Sequence, residues 1–483
     1  MGDPAAVAVV WNPRAAYPAP PFDPPAAYPD LPAPLNLRKP DPTNAVYPLV
    51  RESVIRALGL ESGGGAQDAG VLRCLGQPSR ILVKPNWVKE EPVFTGAVTT
   101  HGSVLRPIID MLLAAFPGAE IVVGDIALQA ADLDSVWEQT GVCALQHLYA
   151  EARLPVRFLD LRRERAWIHP TGFIEKREAL SGDPLGYMEV ALGGSSLLEP
   201  ITSAGVRFSV NDYEPGLAAC KHAPGRHGYL IAGSVLAAEL FVNVPKLKTH
   251  GKAGMTACLK NLIGINGDKG WIPHYRIGPP AGGGDEFPDE FGRLMGFQAG
   301  VRRLLQGRSR FGYVLAQRCW SLFRKHLEKN RGAGLTQGGA WPGNDTLWRS
   351  ILDLAVVVSR ADAAGVIGTE PARAQLCVVD AIVCGEGEGP LSPTPKSVGA
   401  ILCSRDPLVA DLAAARVAGF DWRSIPYLRH AVQHRTGSIP DPGALPVAVT
   451  GQEMPVPLAQ CPSWRFLPYA SWKTRLNAAS EPD

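Results

Sequence analysis

The sequence predicts an α/β protein in three layers, a mostly parallel sheet flanked by helices, with a Pro-rich N-terminal arm and a helical insertion. Three observations predict it. Apolar runs of strand length alternate with stretches of helical periodicity over most of the chain. No period of roughly 20–50 residues repeats, which sets aside solenoids and propellers. At 483 residues, with 46% hydrophobic and 19% charged side chains, the chain can bury a large core and is not globally disordered. Strands and helices in alternation stack as layers around a parallel sheet.

The arm is residues 1–46. Thirteen of the 44 prolines lie within the first 48 residues. Proline lacks the N–H that helices and inner strands require, so no regular helix or sheet is expected there. Its Trp11, Tyr17, Phe22, Tyr28 and Leu31 are unusual in a solvated linker, so the arm is expected to pack on the body. Val50, Val54, Ile55, Leu58 and Leu60 then have helical spacing, ended by Gly59 and the Gly63-Gly64-Gly65 run. Arg80–Lys84 reads as a buried strand stopping at Pro85, and Val104–Phe116 as a helix with Leu105, Ile108, Ile109, Leu112 and Leu113 on one side. Glu120–Gly124 is a strand ending at Asp125, Ala130–Ala150 a helix, Val156–Leu159 a strand, and residues 168–215 short β-rich pieces. Leu240–Val244 is a strand ending at Pro245, with a helix from Thr256 to Leu262 after it.

The insertion, 278–345, opens with Gly-Pro-rich text, continues as an arginine-rich helical run from Arg293 to Lys329, and closes with a loop to Gly343. A helix over Leu347–Arg360, strands over Leu376–Val383 and Val398–Cys403, and a helix from Leu408 to Gly419 complete the pattern. The body is thus expected over 47–277 and 346–450, and a C-terminal tail over 451–483.

Lysine plus arginine number 48 and aspartate plus glutamate 46, a formal balance of +2. That excludes a protein that coats nucleic acid or anionic membrane by bulk charge. The nine cysteines include no C-x-x-C pair, so a zinc ribbon, a ferredoxin-type cluster and a thioredoxin-like motif are not expected. Their scatter fits reduced thiols, and no signal peptide or membrane-spanning stretch is read. A cytoplasmic protein is expected, with homo-oligomerisation left open. No G-x-S-x-G, Walker loop or strand-borne G-x-G-x-x-G is present, so no nucleotide cofactor is expected.

In open α/β sheets function concentrates beyond the carboxyl ends of the strands. The residues there are polar in every case: Lys84-Pro85-Asn86 and then Thr99-Thr100-His101; Asp125; Asn243 through Lys246-Leu247-Lys248-Thr249-His250; and Asp380 followed by Gly385-Glu386-Gly387-Glu388-Gly389-Pro390. Residues 243–276 hold Lys246, Lys248, Lys252, Lys260, Lys269 and Arg276 against Asp268, a local balance of six minus one, +5. If 246–250 is extended, Lys246, Lys248 and His250 share a face. Thr256, Lys260 and Gly264 fall on one helix face, with Asn261 beside it. Thr256 is a candidate N-cap whose neighbouring N–H groups would receive an anion. Such convergent lysines suit a phosphate or carboxylate; a solvated basic loop is the bland alternative. Residues 380–390 carry Asp380, Glu386 and Glu388 with no base, a balance of −3. Carboxylates so placed are candidate hard-ion ligands or general bases, or simply a Gly-rich surface turn. A softer ion would recruit His250, His101 or His274.

Together these segments resemble the DUF362 family. The resemblance rests on Lys84-Pro85-Asn86, Thr99-Thr100-His101, Gly124-Asp125, Asn243 to His250, Thr256, Leu259-Lys260-Asn261-Leu262-Ile263-Gly264, Asp380-Ala381-Ile382, Glu386 to Pro390, and Asp406-Pro407 with Asp411. It covers about residues 80 to 430 as an ordered set. The family carries no general assigned reaction. Members with an added ferredoxin-like cysteine cluster resemble iron–sulfur proteins, and this chain lacks that cluster, so no iron–sulfur centre is expected. The arm and the insertion also depart from the shortest members, and would cover the site or mediate self-association.

The reading that follows is an enzyme acting on a small anionic metabolite. His250, Lys248, Lys260 and Glu386 are the candidate catalytic groups. Lys84, Asn86, Thr100, His101, Lys246, Thr249, Asn261 and His274 are the candidate substrate ligands, and Asp125 and Asp380 the candidate ligands of a divalent metal ion. The alternative is a non-catalytic binding protein for a phosphorylated ligand; an iron–sulfur redox protein is a third, disfavoured by the cysteine spacing.

Overall fold

In the computed structural model, which describes residues 7–59, 68–203, 205–210, 216–305, 308–331, 338–434, 439 and 441–476, the apolar runs assemble into one mixed sheet of eleven strands. In chain order these are β1 (Val7–Trp11), β2 (Arg80–Pro85), β3 (Glu120–Asp125), β4 (Val156–Asp160), β5 (Leu240–Val244), β6 (Lys246–His250), β7 (Gly254–Thr256), β8 (Ala374–Glu386), β9 (Thr394–Ser404), β10 (Pro446–Val449) and β11 (Val456–Pro457). Their spatial order is β11-β10-β1-β9-β8-β5-β2-β3-β4, with β6 branching off to pair with β8 and β7. The block β8-β5-β2-β3-β4 is parallel throughout, and β9 runs antiparallel to both β8 and β1.

Alternate side chains along each strand feed two separate cores, as the period of two requires. Val7, Val9, Leu82, Phe241, Val379 and Leu402 pack under the helices Leu347–Arg360 and Pro407–Ala418. Ala8, Val10, Ile81, Val83, Val242, Val378 and Ile401 pack on the other side, under Val46–Gly59, Gly102–Ala115 and Val142–Glu151. Sheet strands apolar on both faces between two helical layers give the expected three-layer α/β class. Among the described residues no helix is long and apolar enough to cross a membrane.

The structure corrects several element boundaries. The arm is not devoid of regular structure: its proline-free run Val7–Trp11 is an inner strand, antiparallel to β9 and parallel to β10, because five residues without proline retain every ladder N–H. The helix expected over Ala130–Ala150 is two, Leu133–Gln139 and Val142–Glu151, split where Gly141 takes a left-handed φ of 72°. A β-carbon at Gly141 would lie 2.4 Å from Phe22, so the break also seats the arm's buried Phe22. The arginine-rich run is likewise two helices, Gly292–Leu305 and Arg310–Arg331. The Gly63–Gly65 run lies outside the described residues. The tail joins the body through β11 and through buried Trp472, whose indole N–H donates to the Gly251 carbonyl at 2.7 Å.

Candidate functional site

Just beyond the carboxyl ends of β2, β3 and β5 lies a cavity of about 300 Å³. It is lined by Lys248, Lys252, Lys260 and Lys269, by His250 and His274, and by Asn86, Asp125 and Thr256. Val88, Ile126, Leu128, Ile263 and Leu391 supply apolar wall.

The floor is a buried amide network. The register of β2 on β5 sets Lys84 beside Asn243. Asn261 Oδ1 accepts from Lys84 Nζ at 3.0 Å and from Asn86 Nδ2 at 2.9 Å, while its own Nδ2 donates to Asn243 Oδ1 at 2.8 Å. Lys84 also pairs with Asp125 at 2.7 Å, both nearly inaccessible to solvent. Asp125 further accepts from the N–H groups of Trp87 and Ile126, at 2.7 and 2.9 Å. Gly264 must be glycine at this point: a β-carbon would lie 2.4 Å from Asp125 Oδ1 and 2.7 Å from Lys84 Nζ.

Above this floor the charge is one-sided. Burial, with the neighbouring charges of Lys269, Lys252 and Lys84, brings Lys260 down to about 7. Burial brings Lys269 down to about 7 as well, against the opposing pull of Asp125. Lys248 is held well below the usual lysine range by burial and by the charges of Lys260 and Lys246. His250 and His274 are lowered well below the usual imidazole value by burial and the surrounding lysines, so both are neutral at pH 7. Their tautomers differ. His250 Nδ1 accepts from the Lys252 N–H at 3.0 Å, which leaves its proton on Nε2. His274 Nδ1 sits 2.9 Å from the Ile272 carbonyl and donates to it, leaving Nε2 an acceptor. Two polar atoms of the lining, Asn86 Oδ1 and Thr256 Oγ1, are buried with no hydrogen-bond partner.

Of the residues expected at the site, Lys248, His250, Lys260, Asn86, Asn261, His274 and Asp125 line one cavity, and Lys84 lies beneath it. The others are placed elsewhere. Lys246 is fully buried against Asp380 at 3.0 Å, with the Tyr17 hydroxyl bridging both. A register irregularity between β6 and β8 falls between Lys246 and Lys248, and of the three residues expected on one face only Lys248 and His250 line the cavity. His101 caps the helix Gly102–Ala115 and stacks on Tyr17, ring centroids 3.9 Å apart. The Thr100 hydroxyl donates to the Val244 carbonyl at 2.7 Å and accepts from the Asn86 N–H at 2.9 Å, which fastens β2 to β5. Thr249 donates to the Gly387 carbonyl at 2.9 Å and so holds the glycine turn in place. Glu386 does not line the cavity; it pairs with Lys396 at 3.0 Å and accepts from the Leu467 N–H. The acidic segment reaches the cavity through Gly389, Pro390 and Leu391 instead. A β-carbon at Gly389 would meet the Thr249 carbonyl at 2.0 Å, so the glycine lets the two backbones touch.

Asp125 and Asp380 are thus each tied to a different lysine. Among the described residues no three His, Cys, Asp or Glu side chains are grouped to hold a metal ion. The helix start is also not where the sequence places it. Thr256 ends β7, the helix is Cys258–Asn261, and the N–H groups of Cys258 and Leu259 donate to the Asp411 carboxylate at 2.6 and 3.0 Å. A protein carboxylate therefore occupies the anion position expected there. Sequence reasoning counted Lys252 and Lys269 as charge without assigning them to the site, and it missed Tyr469, which comes from the tail.

A family model described as "Domain of unknown function (DUF362)" matches residues 81–178 and 201–416. No curated protein and no solved structure matches the chain.

Proposed function

The chain belongs to the DUF362 family, and from that premise we propose that it is an enzyme acting on a small anionic metabolite, bearing phosphate or carboxylate, held in the cavity at the strand ends. One observation carries the reading. Among the described residues four lysines line the cavity against a single carboxylate, Asp125, which Lys84 already neutralises. Lys248, Lys260 and Lys269 pair with no carboxylate among the described residues; cations withdrawn from water without counter-charge are costly, and an anionic ligand removes that cost by restoring their ordinary basicity. Lys248, Lys252 and Lys269 surround the anion. Lys260 and the neutral His250 and His274 are the groups able to move a proton near pH 7. Asn86 Oδ1 and Thr256 Oγ1 orient the uncharged part of the ligand. Lys84, Asn243, Asn261 and Thr100 hold these groups in place without touching it.

The test is a melting-temperature screen of the full chain against inorganic phosphate, pyrophosphate, sugar phosphates, and di- and tricarboxylates. Mass action stabilises any folded protein that binds a ligand, by about 2.7 kcal/mol at a hundredfold excess over Kd. The expected result is a rise for at least one anion that its neutral analogue does not produce. No rise with any anion overturns the reading.

A further inference from the structure

One cavity lysine differs from its neighbours. Lys248 Nζ donates to the Val98 carbonyl and Lys269 Nζ to the Ala127 carbonyl. The Lys260 side chain makes no hydrogen bond or ion pair among the described residues. Its backbone is nonetheless fixed. It lies in the short helix whose first N–H groups are tied to Asp411, and Asn261, next in the chain, is the hub of the amide floor. The amine therefore stands on a rigid base, in a cavity whose apolar wall includes Ile126, Leu128 and Ile263, with no acceptor holding its protons among the described residues. That is the environment in which a lysine becomes a nucleophile.

We propose that Lys260 forms an imine with the carbonyl carbon of an anionic oxo-compound, a 2-oxo acid or a phosphorylated ketone, whose acid group lies among Lys248, Lys252 and Lys269. The inference rests on the anion-site reading and adds the substrate class and the nucleophile. The step balances. The lone pair of the neutral amine attacks the carbonyl carbon and forms the C–N bond. The C–O bond then breaks, and both amine protons leave with the oxygen as water. No oxidant, reductant or metal is required. His274 Nε2 is placed as acceptor and His250 Nε2–H as donor for that proton traffic, and Lys260 is close enough for its charge to be felt by both rings. A value of about 7 for Lys260 leaves about half of it as free amine at neutral pH.

The experiment incubates the full chain near pH 7 with pyruvate, 2-oxoglutarate or dihydroxyacetone phosphate and sodium cyanoborohydride, which reduces an imine to a stable secondary amine. Digestion and mass spectrometry then map the adduct. The expected result is labelling at Lys260 at least about tenfold above that at the exposed Lys176. Which probe labels distinguishes an oxo acid from a phosphorylated ketone. Lys260→Arg loses the adduct. Because the site is mapped in the unaltered protein, the result does not depend on that variant folding. Lactate and glycerol 3-phosphate, which lack the carbonyl, should compete without labelling. Absence of an adduct with all three probes, or labelling spread evenly over the lysines, overturns the proposal. Probes that raise the melting temperature yet leave Lys260 unlabelled sink the imine and spare the anion site, which falls only if no anion of the wider screen stabilises the chain.

Discussion

One strand, β6, carries lysines of two kinds. At its start Lys246 is fully buried but has a carboxylate, Asp380, at 3.0 Å and a tyrosine hydroxyl against it. Two residues on, Lys248 is as deeply buried and among the described residues has only a carbonyl, and it faces a cavity shared with Lys252, Lys260 and Lys269. Lys84 repeats the first arrangement with Asp125. The difference teaches that lysine burial by itself carries no functional meaning here. A lysine with its own carboxylate joins strands and arm into one body. A lysine without one leaves positive potential for something outside the chain to answer.

Three substitutions or conditions would break or sharpen that contrast. The largest effect is expected on the paired side. Asp380→Ala strands Lys246 in the core and should lower unfolding free energy by about 3–5 kcal/mol, read by urea titration. A loss below about 1 kcal/mol, the range of an exposed pair, would mean that the pair is not structural. On the cavity side Lys260→Met should leave melting of the unliganded protein unchanged or slightly raised, since it removes an unpartnered cation, while cutting ligand-induced stabilisation by about 1–3 kcal/mol, the range of a charge-assisted contact. A large loss of unliganded stability would place Lys260 with the paired lysines. The smallest and most graded effect is on pH. Lys260 and Lys269 are at about 7 in the folded chain against about 10.4 unfolded. Between those values the unfolded chain binds more protons, so unliganded stability rises with pH across that window. Anion-induced stabilisation should run the other way, weakening as pH climbs through 7 and the lysines discharge. Parallel curves for the two would contradict the cavity charges.

The polarity of the sequence was legible, but its meaning was only half so. The basic stretch 243–276 does supply the cavity, through Lys248, His250, Lys252, Thr256, Lys260, Asn261, Lys269 and His274. The acidic stretch 380–390 does not face it with charge. Asp380 is spent on Lys246 and Glu386 on Lys396, and what reaches the cavity is the uncharged run Gly389, Pro390 and Leu391. Local sequence shows how many charges a segment has; which partner each one meets is set by residues far away in the chain, as Asp380 and Tyr17 are for Lys246. The same holds at the short helix after β7. An N-cap there was a sound local expectation, but Asp411, more than 150 residues away in sequence, takes its N–H groups.

By itself, the sequence determined the layer architecture and the strand ends at which polar chemistry gathers. Both follow from short-range rules, apolar runs of strand length and helical spacing, that act within a few residues and survive any tertiary arrangement. Only the tertiary structure decided which lysines are neutralised and which are not, that an arm with a proline-free run becomes an inner strand, and that a tail residue, Tyr469, joins the cavity wall. Ion pairing is settled by distances of a few ångströms between residues far apart in the chain, as with Lys246 and Asp380. The energy of a buried charge depends on those distances far more than on its neighbours in the chain.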